Sequence, residues 1–474
     1  MKRFRYSTPM ALAITALAGT GSMSARAAPA DGVLDTSFGT NGRTIVGFDT
    51  LPQAPIDIAL ATVVDAFGRI YIVGVVNTPA GQRIGITRLK KNGALDTNYG
   101  SQDVGLVVAP EELGFTLSGA SAAIDASGRL LVGGTVTVAG NDDFAVCRFN
   151  IDGTLDAFPN GYTCVSVAFD IGDSAHDDVL RSIAVQADGK IVMAGSATVG
   201  NGYNNAAFAR LDTSGDLDST FNGTGKLTIQ GNFGHKDFKI HKVRIATNGK
   251  IVGVGEGRKS QQIFSEPLAV RVLANGAIDP TFGLASVAQF LGTPDRDARM
   301  RDFALLPANG PQDDQRMIAV GEVETAAGSG IYDGLLGKKI AIGPDDYGFG
   351  TAGSVIDTTG ASLTFNAMQR EANGNLTIVG TIRANANPAT TLDDYITRYL
   401  PDGTRDTANF NDGSGFNVVD FLQPGGNDVG NAVAFQNDRI IIVGASLVSV
   451  GPPANFDFSA VAFVRDRIFA SGVD

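Results

Sequence analysis

Histidine and aspartate side chains recur at matching places in two successive stretches of the chain, and such a pattern could hold a metal ion. His176, Asp177 and Asp178 lie in "GDSAHDD", and His235 lies in "GNFGHKDFKIHK", 59 residues after His176. Imidazole nitrogens and carboxylate oxygens are ligands that zinc accepts. His176, His235 and Asp178 are therefore the candidates for a metal site. Solvated loop histidines give the same pattern, and we expect no metal and no other cofactor.

The wider set of candidate ligand-binding residues consists of polar side chains that do not recur in every repeat. They fall in connections of variable length, and loops on a rigid scaffold commonly carry binding. The set comprises His176, Asp177, Asp178, His235, Asp237, His241, Arg299, Arg301, Asp302, Asn427 and Asp428. No Ser–His–Asp or Cys–His arrangement can be argued from the sequence, because both cysteines fall in strand patterns. We therefore predict no catalytic residues.

These candidates sit on a chain with an internal period of about 60 residues. One landmark is a short apolar strand that ends in glycine, as in "GRIYIVG" from 68, "GRLLVGG" from 128, "GKIVMAG" from 189 and "GKIVGVG" from 249. Weaker copies begin at 315, 374 and 438, which gives seven in all. A fixed period of this kind is typical of repeat architectures.

A second landmark couples an aspartate to an aromatic residue, as in "LDTSFG", and it is shifted relative to the first. Its aspartate falls at Asp35, Asp96, Asp156, Asp218, Asp279, Asp346 and Asp406. The first copy precedes the first "GRIYIVG", and none follows the last strand landmark. The last repeat therefore lacks its fourth strand, and residues 31–48 can supply it. Pairing the two would close a ring and remove two sheet edges.

Each period divides into four short strands. In 178–230, "VLRSIAV", "KIVMAGSA", "AAFARL" and "KLTIQ" are separated by Asp-Gly and Ser-Gly turns. Seven such units predict an all-β fold, a single seven-bladed β-propeller of four-stranded blades closed by an N-terminal strand that completes the last blade. A linear β-solenoid is the alternative, and the shift between the landmarks favours the ring.

The expected domain organisation is a signal peptide over 1–27 followed by one propeller over 28–474. The expected blades are, in order, about 56–108, 118–169, 178–230, 239–290, 300–357, 364–421, and 428–466 together with 31–48. Lys2, Arg3 and Arg5, a short apolar run and "ARA" at 25–27 are typical of a secretory signal.

Residues that recur in every blade are expected to be structural. Leucines and aromatic residues of the second landmark should fill the gaps between blades, namely Leu34, Leu95, Leu155 and Leu217 with Phe38, Tyr99, Phe158 and Phe221. An arginine eight residues before the aspartate, as at Arg88 and Arg210, should pair with it or with turn carbonyls. Cys147 and Cys164 fall on neighbouring strands, and we predict a disulfide between them.

The combination of "D/N-G-x-L-D-x-x-F-G", "D-G-K-I-x-x-x-G" and an arginine in the third strand resembles the bacterial delta-60 repeat family. The resemblance covers essentially all of 31–466 and is weakest in the fifth unit, where "QRMIAVG" replaces the usual strand. It implies an exported propeller-like domain and transfers no catalytic residues.

The net charge and the predicted export limit the classes of partner that we expect. The net charge is −12, and removal of 1–27 would take away four basic residues and no acidic one. Such a chain is a poor partner for nucleic acid or anionic membranes, and no segment after the signal is long enough to span a bilayer. We expect a secreted or periplasmic bacterial protein, a monomer, whose partner is an extracellular or envelope glycan or protein.

Three functions are compatible with these features. The preferred hypothesis is a noncatalytic binding or adhesion propeller that recognises a glycan or protein through variable loops on one face. The alternatives are a metal-dependent enzyme of the lactonase or lyase type and a structural role in envelope assembly.

Overall fold

The structure is a computed structural model in which the chain folds into one ring of β-sheets. It describes residues 31–48, 56–79, 81–100, 104–109, 115–171, 177–200, 202–230, 235–259, 262–284, 286–290, 295–308, 310, 314–360, 362–383, 391–421, 426–449 and 454–465, with the backbone alone for 115–119 and 235. The predicted signal peptide lies outside these residues. No helix in the described ranges is long and apolar enough to cross a membrane.

The described residues form seven four-stranded antiparallel sheets, which confirms the predicted all-β propeller. Blades 1 and 2 contain β2 (Ile58–Val64), β3 (Ile70–Thr78), β4 (Gly81–Leu89), β5 (Leu106–Val108), β6 (Phe115–Ile124), β7 (Leu130–Val138), β8 (Asn141–Phe149) and β9 (Cys164–Val167). Blades 3 and 4 contain β10 (Asp178–Val185), β11 (Ile191–Thr198), β12 (Asn204–Leu211), β13 (Lys226–Ile229), β14 (His235–Ile245), β15 (Ile251–Lys259), β16 (Ser265–Val272) and β17 (Val287–Gln289).

The remaining three blades follow the same pattern. Blades 5 and 6 contain β18 (Ala298–Leu305), β19 (Met317–Glu324), β20 (Tyr332–Lys339), β21 (Ser354–Asp357), β22 (Ser362–Arg370), β23 (Leu376–Arg383), β24 (Leu392–Tyr399) and β25 (Phe416–Val419). Blade 7 contains β26 (Asp428–Gln436), β27 (Arg439–Ser449) and β28 (Asn455–Val464), with β1 (Arg43–Val46) as its outer strand.

The ring is closed by the pairing of β1 with β28, as the shifted landmarks predict. The two strands are antiparallel, with Arg43 opposite Val461 and Val46 opposite Phe458. Asp35 N also donates to the carbonyl of Ala462 at 2.8 Å. The outer edge of β28 is thus covered by a segment from the other end of the ring.

A glycine at the end of each strand landmark shapes the innermost strand of its blade. A Cβ atom on Gly195 would stand 1.9 Å from the carbonyl oxygen of Val179, so only glycine fits there. At the same level β10 carries a bulge, because the register skips from Leu180 to Ser182. The close approach of the backbone at the glycine therefore leaves Arg181 as an extra residue on the inner strand.

Aromatic side chains of the second landmark fill the gaps between blades. They are all nearly inaccessible to solvent, namely Phe38, Tyr99, Phe158, Phe221, Phe282, Phe349 and Phe410. Each fully buried phenylalanine contributes roughly 1.5–3 kcal/mol to stability by its burial. The leucines predicted to share this role are less buried, and Leu217 is 38% exposed. That part of the expectation is wrong for Leu217, which is exposed although its backbone bridges to Leu211 in the same way as Leu95 bridges to Leu89.

At the junction of blades 4 and 5 the recurring arginine, Arg271, joins three groups. Nε of Arg271 lies 2.6 Å from Oδ2 of Asp279, and its guanidinium carbon lies 4.7 Å from the ring centre of Phe282. The arginine also donates to the carbonyl of Ala341 in the next blade. Blade 5 uses a lysine instead, with Lys338 Nζ 3.1 Å from Asp346. The landmark charges thus hold neighbouring blades together.

Cys147 and Cys164 form the predicted disulfide between β8 and β9. The two residues face each other in the ladder and are separated by 17 positions in sequence. A loop of this size is worth about 3 kcal/mol in the chain-entropy account of disulfide stabilisation.

Candidate functional site

The innermost strands of the seven blades surround a central channel with a volume of about 850 Å³. Most of its wall is formed by the residues from the bulge of each inner strand to the end of that strand. In six blades the extra residue is known from the register and lines the channel, namely Leu60, Arg181, His241, Arg301, Asn366 and Asn431. The repeat thus places one variable residue from each of these blades around one opening.

Two of these residues tie neighbouring blades together. Asn366 Nδ2 donates to the carbonyl oxygen of Gly430 at 2.8 Å, and Asn431 Nδ2 donates to that of Ala59 at 2.9 Å. These two side-chain amides therefore serve to hold neighbouring blades together. Arg181, His241 and Arg301 come from three consecutive blades and form a cationic sector on the other side of the ring.

Four of the residues singled out from the sequence meet in this sector, namely His241, Arg299, Arg301 and Asp302. Arg301 binds Glu322 in a bidentate manner at 2.7 and 2.8 Å. Nε of Arg299 lies 2.9 Å from the same carboxylate. Asp302 accepts from Arg244 at 2.9 Å and from the backbone N–H of Met368 at 3.0 Å, so it joins blades 4, 5 and 6.

Two carboxylates of this sector, Glu256 and Glu322, were missed by sequence reasoning. Each directly follows the glycine of its strand landmark, in "GVGEG" and "AVGEV", and so reads as part of a buried strand. Glu322 is 1% exposed, and Glu256 Oε1 lies 3.7 Å from His241 Nε2. An acidic residue immediately after the landmark glycine is the signal that could have identified them.

Burial controls the ionisation of this sector. It lowers the pKa of His241 below its ordinary value, although Glu256 opposes the shift. Burial also disfavours the ionised form of Glu256, but the nearby His241 and Arg299 outweigh it and hold its pKa at about 2. The Glu256 carboxylate is therefore ionised at neutral pH.

Three further cations line the channel without a carboxylate at ion-pair distance in the described part of the chain, namely Arg181, Lys242 and Arg370. Nε of Arg370 is buried and has no hydrogen-bond partner among the described residues. Burial lowers the pKa of all three groups. Arg181 reaches the open part of the channel, where its residue is solvent-exposed. These groups are the free positive charges of the site.

The other predicted site residues lie away from this sector. Asp178 and Asp428 are buried, and each accepts from a backbone N–H of the preceding connection, Phe169 at 2.6 Å and Phe421 at 2.8 Å. Asp177 accepts weakly from Asp142 N at 3.3 Å. Asn427 Oδ1 accepts from Leu392 N at 3.1 Å. Each of these contacts joins connections on the rim of the ring.

The histidines proposed for metal binding are only partly described. His176 and the side chain of His235 lie outside the described residues. Asp237, beside His235, accepts from Asn204 Nδ2 at 2.7 Å and lies 3.4 Å from Lys239 Nζ. His176, His235 and Asp178 therefore stay candidates for a metal site, and the expectation that no metal binds there stays a prediction.

Comparisons with known proteins agree with this architecture. Residues 126–158, 186–221 and 246–282 match a family described as "Domain of unknown function (DUF5122) beta-propeller". Each matched segment runs from the turn before the second strand of a blade to the buried aromatic residue that ends the junction. A comparison with curated proteins finds no match.

Three solved structures with similar coordinates are distant in sequence. The polysaccharide lyase Uly1 is 11% identical, with 92% of this chain and 97% of that chain covered and a TM-score of 0.45. An α-L-arabinanase of Penicillium chrysogenum complexed with arabinobiose is 12% identical, with 72% and 92% covered and a TM-score of 0.42. The β-propeller domain of the Trilobed protease from Pyrococcus furiosus is 10% identical, with 83% and 91% covered and a TM-score of 0.40.

The family match and the ring of blades therefore point to the same conclusion. The chain is a seven-bladed, delta-60-like repeat propeller whose second, third and fourth repeats match the DUF5122 beta-propeller family.

Proposed function

We propose that this propeller is a noncatalytic binding module that recognises an acidic glycan, with the cationic sector of the central channel as the part that holds the anionic group. The observation that carries the proposal is the set of three channel cations, Arg181, Lys242 and Arg370, that lack a carboxylate partner in the described part of the chain. Arg181 is exposed, and Lys242 and Arg370 are half-buried. Cations that lack a carboxylate partner around a cavity favour an anionic ligand, because charge-assisted hydrogen bonds to an anion are strong.

The contrast with the rest of the protein supports this assignment. The chain has a net charge of −12, yet its channel is lined by Arg181, Lys242, Arg244, Arg301 and Arg370 against a single lining carboxylate, Asp302. Glu256 and Glu322, behind the lining, neutralise part of this charge. A carboxylate or sulfate in the channel would form charge-assisted hydrogen bonds, and guanidinium groups can bind it through two parallel bonds.

The size and mixed chemistry of the channel favour a short oligosaccharide over a simple inorganic anion. A volume of about 850 Å³ is in the range of pockets that enclose ligands of several hundred daltons. Apolar residues such as Val63, Val185 and Phe435 alternate with the polar ones in the lining. A sugar ring presents both apolar C–H faces and hydroxyl groups, so it matches such a surface.

The proposal is tested by calorimetric titration with oligosaccharides that contain uronic acids and with neutral oligosaccharides of the same length. We expect saturable binding of the acidic series that weakens as NaCl is raised, because the contacts are ionic. Arg181→Ala should weaken binding about tenfold or more, since a charge-assisted hydrogen bond is worth about 1.5–3 kcal/mol. Among the described residues no hydrogen bond or salt bridge involves the Arg181 side chain, so the variant should keep the wild-type Tm.

The matched control is Lys90→Ala, which removes an exposed cation outside the channel. It should leave the affinity unchanged. Undiminished binding in Arg181→Ala would place the ligand elsewhere on the ring. Absence of binding to both series would contradict a glycan-binding role and favour envelope assembly.

We also propose export, as the basic and apolar start of the sequence indicates. The Cys147–Cys164 disulfide supports an oxidising compartment such as the periplasm or the cell exterior. N-terminal sequencing of the protein from cells should give a mature chain beginning at Ala28. A mature chain that retains Lys2 and Arg3 would contradict it.

A further inference from the structure

Three carboxylates converge where blade 6 meets blade 7, at the rim of the ring and outside the channel. Oxygen atoms of Asp393, Asp420 and Asp428 all lie within 4.8 Å of one another. Asp393 is the second residue of β24, Asp420 directly follows the end of β25, and Asp428 is the first residue of β26. Asp420 is exposed, Asp393 is partly buried and Asp428 is buried, so the group opens to solvent on one side.

A comparison with two other junctions of the same ring shows what is particular to this one. Asp143 with Asp178 and Asp457 with Asp57 occupy the places of Asp393 with Asp428. In all three junctions the second aspartate accepts from the N–H of a phenylalanine, Phe421, Phe169 or Phe48, at 2.6–2.8 Å. The pair is thus a repeated structural element. Its scaffold role needs only two carboxylates.

The additional carboxylates occur at the junction of blades 6 and 7. The residue after the outer strand is Asp420 here, but Ala168 and Gly47 in the other two junctions. The residue after the first aspartate of the pair is Asp394 here, but the fully buried Phe144 and Phe458 in the others. The same backbone therefore carries four carboxylates at one junction, where two apolar or small residues suffice elsewhere.

Asp394 directly follows Asp393 in β24 and is 2% exposed. Its Oδ1 is buried and has no hydrogen-bond partner among the described residues. That atom lies 3.5 Å from the point at which a Cβ of Gly430 would stand, so it is directed at β26 on the side that also carries Asp428, two residues earlier. A buried carboxylate oxygen without a donor is costly unless the group is protonated or a cation satisfies it.

Among the described residues, Arg43 at the start of β1 is a cation close to this group. Nη2 of Arg43 donates to the backbone carbonyl of Asp420 at 3.2 Å, not to a carboxylate. No salt bridge involves Asp393, Asp394, Asp420 or Asp428 within the described ranges. The cluster is thus short of positive charge.

We propose that Asp393, Asp420 and Asp428 bind a calcium ion at the junction of blades 6 and 7, with Asp394 as the buried carboxylate that completes the negative site. Calcium takes six to eight oxygen ligands in flexible geometry, and carboxylates from three separate segments suit it. Magnesium requires near-ideal octahedral geometry, which such a spread of segments does not provide. The site is independent of the proposed glycan-binding channel, which is formed by the inner strands.

The test is equilibrium dialysis of the purified full-length protein against CaCl₂, together with thermal melting in CaCl₂ and in EDTA. We expect one calcium ion per chain with a Kd of about 10⁻⁴–10⁻³ M, the range of extracellular calcium modules. Calcium should raise the Tm, because a ligand that binds only the folded state stabilises it. Magnesium at the same concentration should bind at least tenfold more weakly.

Asp420→Ala is the decisive variant, because it reproduces the residue that the junction of blades 2 and 3 has at Ala168. Asp420 is exposed, so the variant should melt in EDTA at the wild-type temperature while its calcium affinity falls at least tenfold. Asp420→Asn provides a second variant of unchanged size. The control Asp188→Ala removes an exposed carboxylate in blade 3 and should bind calcium as the wild type does.

Three results would overturn the site. They are absence of saturable calcium binding by the wild type, equal affinity for magnesium, and unchanged calcium affinity in both Asp420 variants. Loss of glycan binding in Arg181→Ala would have no bearing on this result, since Arg181 lies in the channel.

Discussion

Nε of Arg439 lies 2.6 Å from Oδ2 of Asp35, although 404 positions separate the two residues in the chain. The third strand of blade 7 carries Ala462 where blades 1 to 4 and 6 have the recurring arginine. Arg439 comes from the first landmark of blade 7 and takes over that role. It also donates to Ser37 Oγ at 3.0 Å. The junction that closes the ring therefore uses a different arginine from its neighbours to hold the same aspartate.

Replacing Arg439 with methionine should lower the free energy of unfolding by about 1.5–3 kcal/mol, the usual range for hydrogen bonds to charged groups. The matched control is Arg69→Met, at the same landmark position in blade 1. Arg69 pairs with the nearby Asp65, while Asp96 keeps its own partner Arg88. The control should lose no more than about 1 kcal/mol, as for a surface pair. Urea unfolding of both variants checks the difference, and equal losses would contradict the special role of Arg439.

Truncation of Phe38 to alanine should destabilise the protein by about 3–5 kcal/mol, because it leaves a cavity between blades 7 and 1. Phe38 is fully buried. Phe67→Ala is the control of identical chemistry, since Phe67 is 76% exposed and its removal should change stability by less than about 0.5 kcal/mol. Urea or thermal unfolding of the two variants measures both effects. A small effect at Phe38 would show that the N-terminal segment does not fill the junction.

Stability should fall as pH rises from about 4 to about 7, in part through Asp178. Burial, with Asp143 and Asp170 adding to it, raises the pKa of Asp178 to about 7, whereas an unfolded aspartate titrates at about 3.9. Between these values the folded state retains a proton that the unfolded state has lost, so the stabilisation present at low pH is lost as pH rises through the folded-state pKa.

Asp178→Asn should reduce this decline and be more stable than the wild type above pH 7, by on the order of 2 kcal/mol. The amide oxygen can still accept from Phe169 N. Urea unfolding between pH 4 and 8 is the measurement, with the exposed Asp188→Asn as control. An unchanged pH profile in Asp178→Asn would contradict the raised pKa.

The sequence was sufficient to predict the blades, the disulfide and the closure, because each depends on landmarks that recur at a fixed period. Gly195 illustrates both the strength and the limit of that signal. The recurrence of this glycine identifies the second strand of a blade. The bulge that it permits at Arg181 can be recognised only from the register of two paired strands, which a single sequence does not provide.

The channel was less predictable for the same reason. His241 and Arg301 stood out because of their residue types, whereas their position as extra residues on the inner strands follows only from the register. Glu322 follows a landmark glycine and reads as part of a core strand. Asp394 is visible only when its junction is compared with those that have Phe144 and Phe458 at the same place. For Leu217 the prediction overestimated burial, because the residue is apolar but lies exposed at the surface.

The pairing of β1 with β28 has a consequence for the order of folding. Most ladders within a blade join segments a few tens of residues apart, and such local contacts form with little loss of chain entropy. The ladder between Val46 and Phe458 spans most of the sequence, so the entropy of closing that loop must be met in one step. Among the described strands, β1 is synthesised first, and it cannot pair until β28, the last strand, has been synthesised. Six blades can therefore assemble during synthesis, and the pairing of β1 with β28 completes the seventh.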